Sequence, residues 1–269
     1  MYPLGNAGVG WRAIMTVGRI KVGTSGWSYD HWARVFYPDR LPAARRLEFY
    51  GSRFDTVEID ATFYRLPSEH AVASWRDAVP DGFVFAVKGS RLITHFRRLA
   101  DVDDALATFL GRMSVLGEKL DVVLWQLPPN FPADTVLLAR FLKRLPTGRV
   151  QHAVEFRHDS WLAEETFAVL REYGAAHVHV SSDAMPESLT PTADFVYARF
   201  HGISSCHGAY DSPALEPWAG FLRGQADSGR DCYAYFNNDA AGHAPADAAR
   251  LIGMLGVGAT RTVAKGRSA

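Results

Sequence analysis

The 269-residue chain is 48% hydrophobic and 12% aromatic, enough to bury one large core or two small ones. Lysine plus arginine and aspartate plus glutamate balance at 29 each, so no overall positive field exists to hold a nucleic-acid backbone or an anionic membrane by charge alone. The two cysteines, Cys206 and Cys232, lack a CxxC spacing and argue against a structural zinc site; they fit a reducing compartment, with the cytoplasm as the expected location. No apolar run approaches the roughly 20 residues that cross a bilayer.

Residues 1–19 read as an N-terminal extension. Gly5, Asn6, Gly8 and Gly10 break any helix, no continuous apolar stretch marks a signal peptide, and Met15 stands just before the first strand, so 1–14 are expected to be a tail or an over-long start. From there, short β-rich runs alternate with longer amphipathic ones. The run 20–25 (IKVGTS) leads to a helix over 41–53, and 54–62 (FDTVEIDAT) to one over 68–79. Then come 83–88 (FVFAVK) with helix 102–116, 121–127 (DVVLWQL) with 134–145, and 152–157 (HAVEFR) with 162–173. The run 176–181 (AHVHVS) is followed by an irregular link over 183–194 containing Pro186 and Pro191. The runs 195–201 (FVYARFH) and 232–237 (CYAYFN) lead to helices over 215–227 and 245–255. Ser68 and Asp134 are placed as N-caps and Gly174 as a helix terminator. Eight such units in one chain predict an α/β fold, a single-domain (β/α)8 TIM barrel over 20–258 with a C-terminal tail at 259–269. A doubly wound sheet is the competitor, but GTSGW after the first run is neither GxGxxG nor a Walker A sequence.

Strand side chains alternate, and the outer face of a barrel strand packs on helices, so the apolar parity marks the outside. Val57 and Ile59 outside put Thr56, Glu58 and Asp60 inside; Val154 and Phe156 outside put Glu155 and Arg157 inside. Val196, Ala198 and Phe200 outside leave Tyr197, Arg199 and His201 in the barrel. The same logic turns His177, His179 and Ser181 inward, with Asp183 just past the strand end. Thr24, Lys88, Gln126 and Asn237 end their strands. Unpaired charges inside a barrel cost several kcal/mol each, so this ring reads as a site at the C-terminal mouth, where such barrels build them.

Glu58 and Glu155 are candidates for paired carboxylates of acid/base chemistry, against the plainer reading that each neutralises Arg157 or Arg199. His201 is a candidate acid/base or anion contact. Glu155, His179, Asp183 and His201 form a conceivable divalent-metal set, but no HxH or HExxH spacing supports it and no cofactor is expected. Trp27, Tyr64, Trp161 and Tyr210 fall near loops that follow strands, as a platform for a sugar or base or as packing over the barrel top. Arg45-Arg46 and Arg97-Arg98 read as solvated faces, and the cysteines lack a paired base.

Seven stretches in order, GTSGWSYDHW (23–32), TVEIDATFYRLP (56–67), FAVKGSRLITH (85–95), LWQLPPNF (124–131), EFRHDSW (155–161), RFHG (199–202) and YFNND (235–239), closely resemble the YecE-like proteins, a domain family of unknown function. The resemblance runs from about 21 to 255 and implies a TIM barrel with its motifs at the strand C-termini; it implies no reaction. Two departures stand out: Asp60 lies where the family commonly has Asn, and the segment after RFHG is shorter, bringing Tyr210 close to His207.

The expected function is that of a cofactor-independent enzyme, of hydrolase or isomerase type, acting on a small polar, anionic or sugar-like molecule at the barrel mouth. Glu155, His201 and Glu58 are the expected catalytic groups. Lys88, Arg157 and Arg199 would clamp a negative group. The expected ligand contacts also include Thr24, Trp27, Asp60, Tyr64, His95, Gln126, His158, Trp161, Asp183, Tyr210, Asn237 and Asn238. The alternatives are a non-catalytic ligand-binding or regulatory barrel and an RNA- or nucleic-acid-associated factor; no membrane partner is expected, and the oligomeric state is open.

Overall fold

A computed structural model of the chain describes residues 16–239 and 241–257. Eight parallel strands form one sheet in the order β1-β8-β7-β6-β5-β4-β3-β2. They are β1 (Ile20–Thr24), β2 (Thr56–Ile59), β3 (Val84–Lys88), β4 (Leu120–Gln126), β5 (Gln151–Glu155), β6 (Ala176–Ser181), β7 (Phe195–Phe200) and β8 (Asp231–Phe236). Beyond the end of β1, a parallel bridge joins Ser25 to Glu58 of β2, and the Gly26 N–H donates to the Glu58 carbonyl at 2.8 Å, bringing the sheet edges together as a barrel. Around it run α1 (Arg46–Gly51), α2 (Ala61–Tyr64), α3 (Glu69–Ala78), α4 (Asp103–Met113), α5 (Thr135–Leu142), α6 (Glu164–Glu172), α7 (Ser212–Asp227) and α8 (Ala244–Leu255). The β6–β7 link carries no helix. The tail expected over 1–14 and the one over 259–269 lie outside the described residues, while Gly18 and Arg19 are held by backbone and side-chain bonds to Ala226 and Asp231 at 2.8 and 2.7 Å.

The local signals act as their chemistry requires. Ser68 accepts the Ala71 N–H at 3.2 Å and Asp134 the Leu137 N–H at 2.8 Å, each satisfying an orphan donor of a helix start. Gly174 takes φ +63° after α6, a conformation a side chain would strain.

Two apolar clusters divide at the sheet. The outer one joins Val57, Ile59, Trp125, Val154 and Phe200 to the helices. The inner one holds Ala86, Leu124, Val178, Val180, Tyr197 and Tyr235, among others. Parity therefore places β2, β5 and β7 as expected, but it fails on β6. His177 aligns with Val154 and His179 with Ala198, both outward positions, while Val178 and Val180 fill the interior. His177 packs 5.2 Å from the Phe167 ring and His179 5.1 Å from that of Phe221, beneath α6 and α7. Burial pushes their pKa values down to about 3 and about 4, so both rings are neutral and pack as flat, largely apolar plates. With tyrosines of β7 and β8 already inside, the narrow valines take the interior and the rings the roomier helix interface. Ser181 follows the same parity outward, aligned with Phe200.

Candidate functional site

Glu58, Glu155 and Arg199 end β2, β5 and β7 on the interior parity and are buried side by side. Arg199 spans the two carboxylates, with Nη2 2.7 Å from Glu58 Oε1 and Nη1 2.6 Å from Glu155 Oε2. The Tyr197 hydroxyl donates to Glu58 Oε2 at 2.6 Å and the Ser25 hydroxyl to Oε1 at 2.5 Å; Arg157 Nε donates to Glu155 Oε1. Burial alone would raise the Glu155 carboxyl, but Arg199 and Arg157 together hold it well below the usual carboxylate range. Burial likewise works against the Arg199 charge, and Glu155 and Glu58 more than offset it. Desolvating such groups costs several kcal/mol per ion, recovered only because nearly every donor and lone pair is used; Arg199 Nε alone is buried without a partner.

Beside this lattice stand groups that are not matched. The Lys88 ammonium makes no ion pair or hydrogen bond among the described residues; it lies 4.4 Å over the Phe63 ring. Burial and then the Arg199 guanidinium push its pKa down to about 8. Nδ1 of His201 accepts from the Asn237 amide at 3.1 Å, which leaves the neutral ring's proton on Nε2. That Nε2 is buried with no partner among the described residues, and burial followed by Arg199 lowers the ring's pKa to about 3. His95, whose Nδ1 meets the Thr94 hydroxyl at 2.9 Å, is lowered by burial and by Lys88 and Arg157. Gln126, aligned with Glu155, faces the same interior.

Asp60 accepts the Tyr29 O–H at 3.0 Å, and its pKa is raised, chiefly by burial. With Trp27 and Tyr64 it lines a cleft of about 730 Å³ at the edge of the mouth. Other expected contacts are placed elsewhere. Thr24 faces outward and bonds the Tyr50 hydroxyl at 2.9 Å; Trp161 is buried, stacked 4.8 Å from Phe156, with its indole N–H on the Phe131 carbonyl. The Tyr210 hydroxyl bonds Ser181 and the Gly202 N–H, holding the chain after β7. Asn238 bonds Asp247 at 2.7 Å, under α8, and His158 caps a short turn through the Ser160 N–H. Asp183 is exposed and accepts the Ser204 N–H at 2.5 Å. With His179 outward and Asp183 in that loop, the set Glu155, His179, Asp183 and His201 does not converge, and among the described residues no group of three or more His, Cys, Asp or Glu does.

Sequence reasoning passed over Ser25 and read Phe63 only as one of the aromatics near the loops after strands. The signal for Ser25 was available: Val22 outward makes Thr24 outward and Ser25 inward. Phe63 sits on α2, where strand parity says nothing. A second hollow, of about 500 Å³, lies at the opposite, N-terminal end of the barrel against Leu142, His152, Tyr173 and Phe195, the face where conserving packing serves stability. Among the described residues no helix is long and apolar enough to cross a membrane.

Comparison with known proteins follows the same outline. The chain is 34% identical over 146 residues to the UPF0759 protein YecE of Escherichia coli, a match covering 54% of this chain and 51% of YecE, so it spans about half of that relative's length. It is 25% identical over 272 residues to the UPF0759 protein YunF of Bacillus subtilis, covering 88% of this chain and 95% of YunF. The crystal structure of a DUF72 family protein, TM1631 of Thermotoga maritima, superposes with a TM-score of 0.79 at 28% identity, over 88% of this chain and 99% of that one. A family model described as a protein of unknown function, DUF72, matches residues 21–268, and by that match the chain belongs to the DUF72 family.

Proposed function

We propose that the barrel mouth is the site of a cofactor-independent enzyme, of hydrolase or isomerase type, that binds a small anionic, polar or sugar-like molecule and acts on it by proton transfer. One observation carries the reading: the Glu58, Arg199, Glu155 and Arg157 charges are matched to one another, whereas among the described residues the Lys88 ammonium has no ion-pair or hydrogen-bond partner, only the Phe63 ring, and the buried Nε2–H of His201 has none. Two unmatched donors in a desolvated setting, flanked by two guanidiniums, call for an acceptor that carries negative charge. Lys88, with a pKa near 8, exchanges a proton readily at neutral pH and is the acid/base group of this reading. His201 donates to the ligand through Nε2, with Asn237 fixing the tautomer. Glu155, ionised and held from two sides, positions Arg157 and Arg199 and takes no proton at neutral pH. The setting of this reading is the cytoplasm, with Cys206 and Cys232 both unpaired.

Titration of isotope-labelled protein with inorganic phosphate, followed by NMR of the lysine and histidine side chains, tests it. The expected result is a Lys88 pKa that rises above 8 and a displaced His201 ring signal, neither seen in Lys88→Met. Signals that stay in place throughout the titration overturn it. A second reading, a binding barrel without turnover, is favoured by the lattice's charges being matched without a ligand; it predicts that phosphate binds while no sugar phosphate or acyl ester is ever converted.

A further inference from the structure

We infer that the ligand of the mouth is bipartite: an acid group held at Lys88 and His201, joined to a flat aromatic body that lies in the cleft walled by Trp27, Tyr64 and Trp75. This rests on the reading of the mouth as an anion site and adds the class of the rest of the molecule.

The cleft, of about 730 Å³, opens between the segment after β1, α2 and α3. Its size is that of small-molecule sites, which run from about 300 to 1,000 Å³. Trp27 and Trp75 meet edge to face, 5.6 Å apart at 81°, and Tyr64, 64% exposed, lines the same cleft. Rings so arranged offer both faces and edges to a planar π-system, whose preferred contacts are offset stacks and edge-to-face pairs. Half of the remaining lining residues are alanine, with Gly26, Leu47 and the hydroxyls of Ser28, Tyr29 and Ser74.

Charge decides which way round such a molecule lies. Asp60 is the one charged side chain among the cleft's described lining residues, so an acid group is repelled from the cleft and drawn to Lys88. The cleft and the mouth share this residue: Asp60 lines the one and interacts with Lys88 and Glu58 of the other. Phe63 of α2 touches both, with the Lys88 ammonium 4.4 Å from its ring centre and the ring of Tyr64, which lines the cleft, 5.0 Å away. A molecule whose acid reaches Lys88 therefore places its ring against Tyr64 and the tryptophans. Asp60 at the seam accepts an N–H or O–H borne on that ring.

Phenylphosphonate and methylphosphonate, two non-hydrolysable anions that differ in the ring, separate the terms by calorimetric titration. Wild-type protein is expected to bind the phenyl compound roughly tenfold tighter or better. That ratio should collapse to near one in Ser74→Trp, which fills the cleft from an exposed helix position, and in Trp75→Ala, while both anions are lost in Lys88→Met. Equal wild-type affinities, both dependent on Lys88, overturn the bipartite ligand and leave the mouth an anion site. Phenylphosphonate binding that survives Lys88→Met but is lost in Ser74→Trp makes the cleft a separate site and overturns the inference as well. Binding of neither anion overturns both readings.

Discussion

Within the barrel mouth, the Glu58, Glu155, Arg157 and Arg199 charges match one another, while among the described residues the Lys88 ammonium at the end of β3 makes no ion pair or hydrogen bond and Nε2 of His201, just past β7, is buried without a partner. Glu58, Glu155 and Arg199 are fully buried and Lys88 and His201 partly so, and burial costs free energy in both halves. In the first the cost is recovered inside the molecule, as in any buried ion-pair cluster. In the second it is not recovered until something arrives from outside, and a protein keeps such groups against its own stability where function needs them. Burial of charge therefore does not by itself distinguish scaffold from site; completeness of pairing does.

The largest effect should come from breaking the matched half. Arg199→Met leaves Glu58 buried without its guanidinium and Glu155 with Arg157 alone, and a loss of about 3–5 kcal/mol is expected in urea denaturation. Loss of less than 1 kcal/mol would mean that water reaches the carboxylates and that the lattice is not closed.

The unmatched half should respond with the opposite sign. The folded pKa of Lys88, about 8, lies below its ordinary value of 10.5, so between these pH values the unfolded chain binds the extra proton and stability rises with pH. Below that window the charged lysine is a burden. Lys88→Met should therefore stabilise the protein at pH 7 by roughly 1–3 kcal/mol, with the advantage fading as the pH approaches 10. Denaturation midpoints across this range check it, and a destabilised variant would place Lys88 in the matched half.

A third effect sharpens the contrast by pH. Anion binding needs the Lys88 ammonium, so phosphate affinity should fall above pH 8, approaching tenfold per unit, and the fall should vanish in Lys88→Arg. An affinity flat to pH 10 would exclude Lys88 from the contact.

The smallest effect belongs to β6. His177 is outward and its Nδ1 is buried without a partner, so His177→Phe should change stability by about 1 kcal/mol or less and leave the phosphate titration as it was. A changed titration would return His177 to the mouth.

The strand ends show how far side-chain parity carries. Where one face was uniformly apolar, as in Val57 and Ile59 or Val196, Ala198 and Phe200, the inward set was legible and Glu58, Glu155, Arg157, Arg199 and His201 came together as read. Where both faces were ambiguous, as in the alternating histidines and valines of β6, the assignment reversed, because a neutral imidazole is welcome under a helix. Aromatic residues after the strands carried no parity at all, and Trp27 and Tyr64 line the cleft beside the mouth while Trp161 and Tyr210 are buried in packing.

By itself the sequence determined the barrel, its eight βα units and the charged character of its mouth, because hydrophobic periodicity and turn chemistry are local properties that survive without knowledge of neighbours. Which charges pair was a matter for the tertiary structure alone. Arg199 could have served either carboxylate, and it bridges both because strands distant in sequence, β2, β5 and β7, deliver their ends to one small volume. Lys88 is left over for the same reason: Glu58 and Glu155 are held by Arg199 and Arg157, and Asp60 bonds the Tyr29 hydroxyl, a fact of distance that no spacing along the chain records.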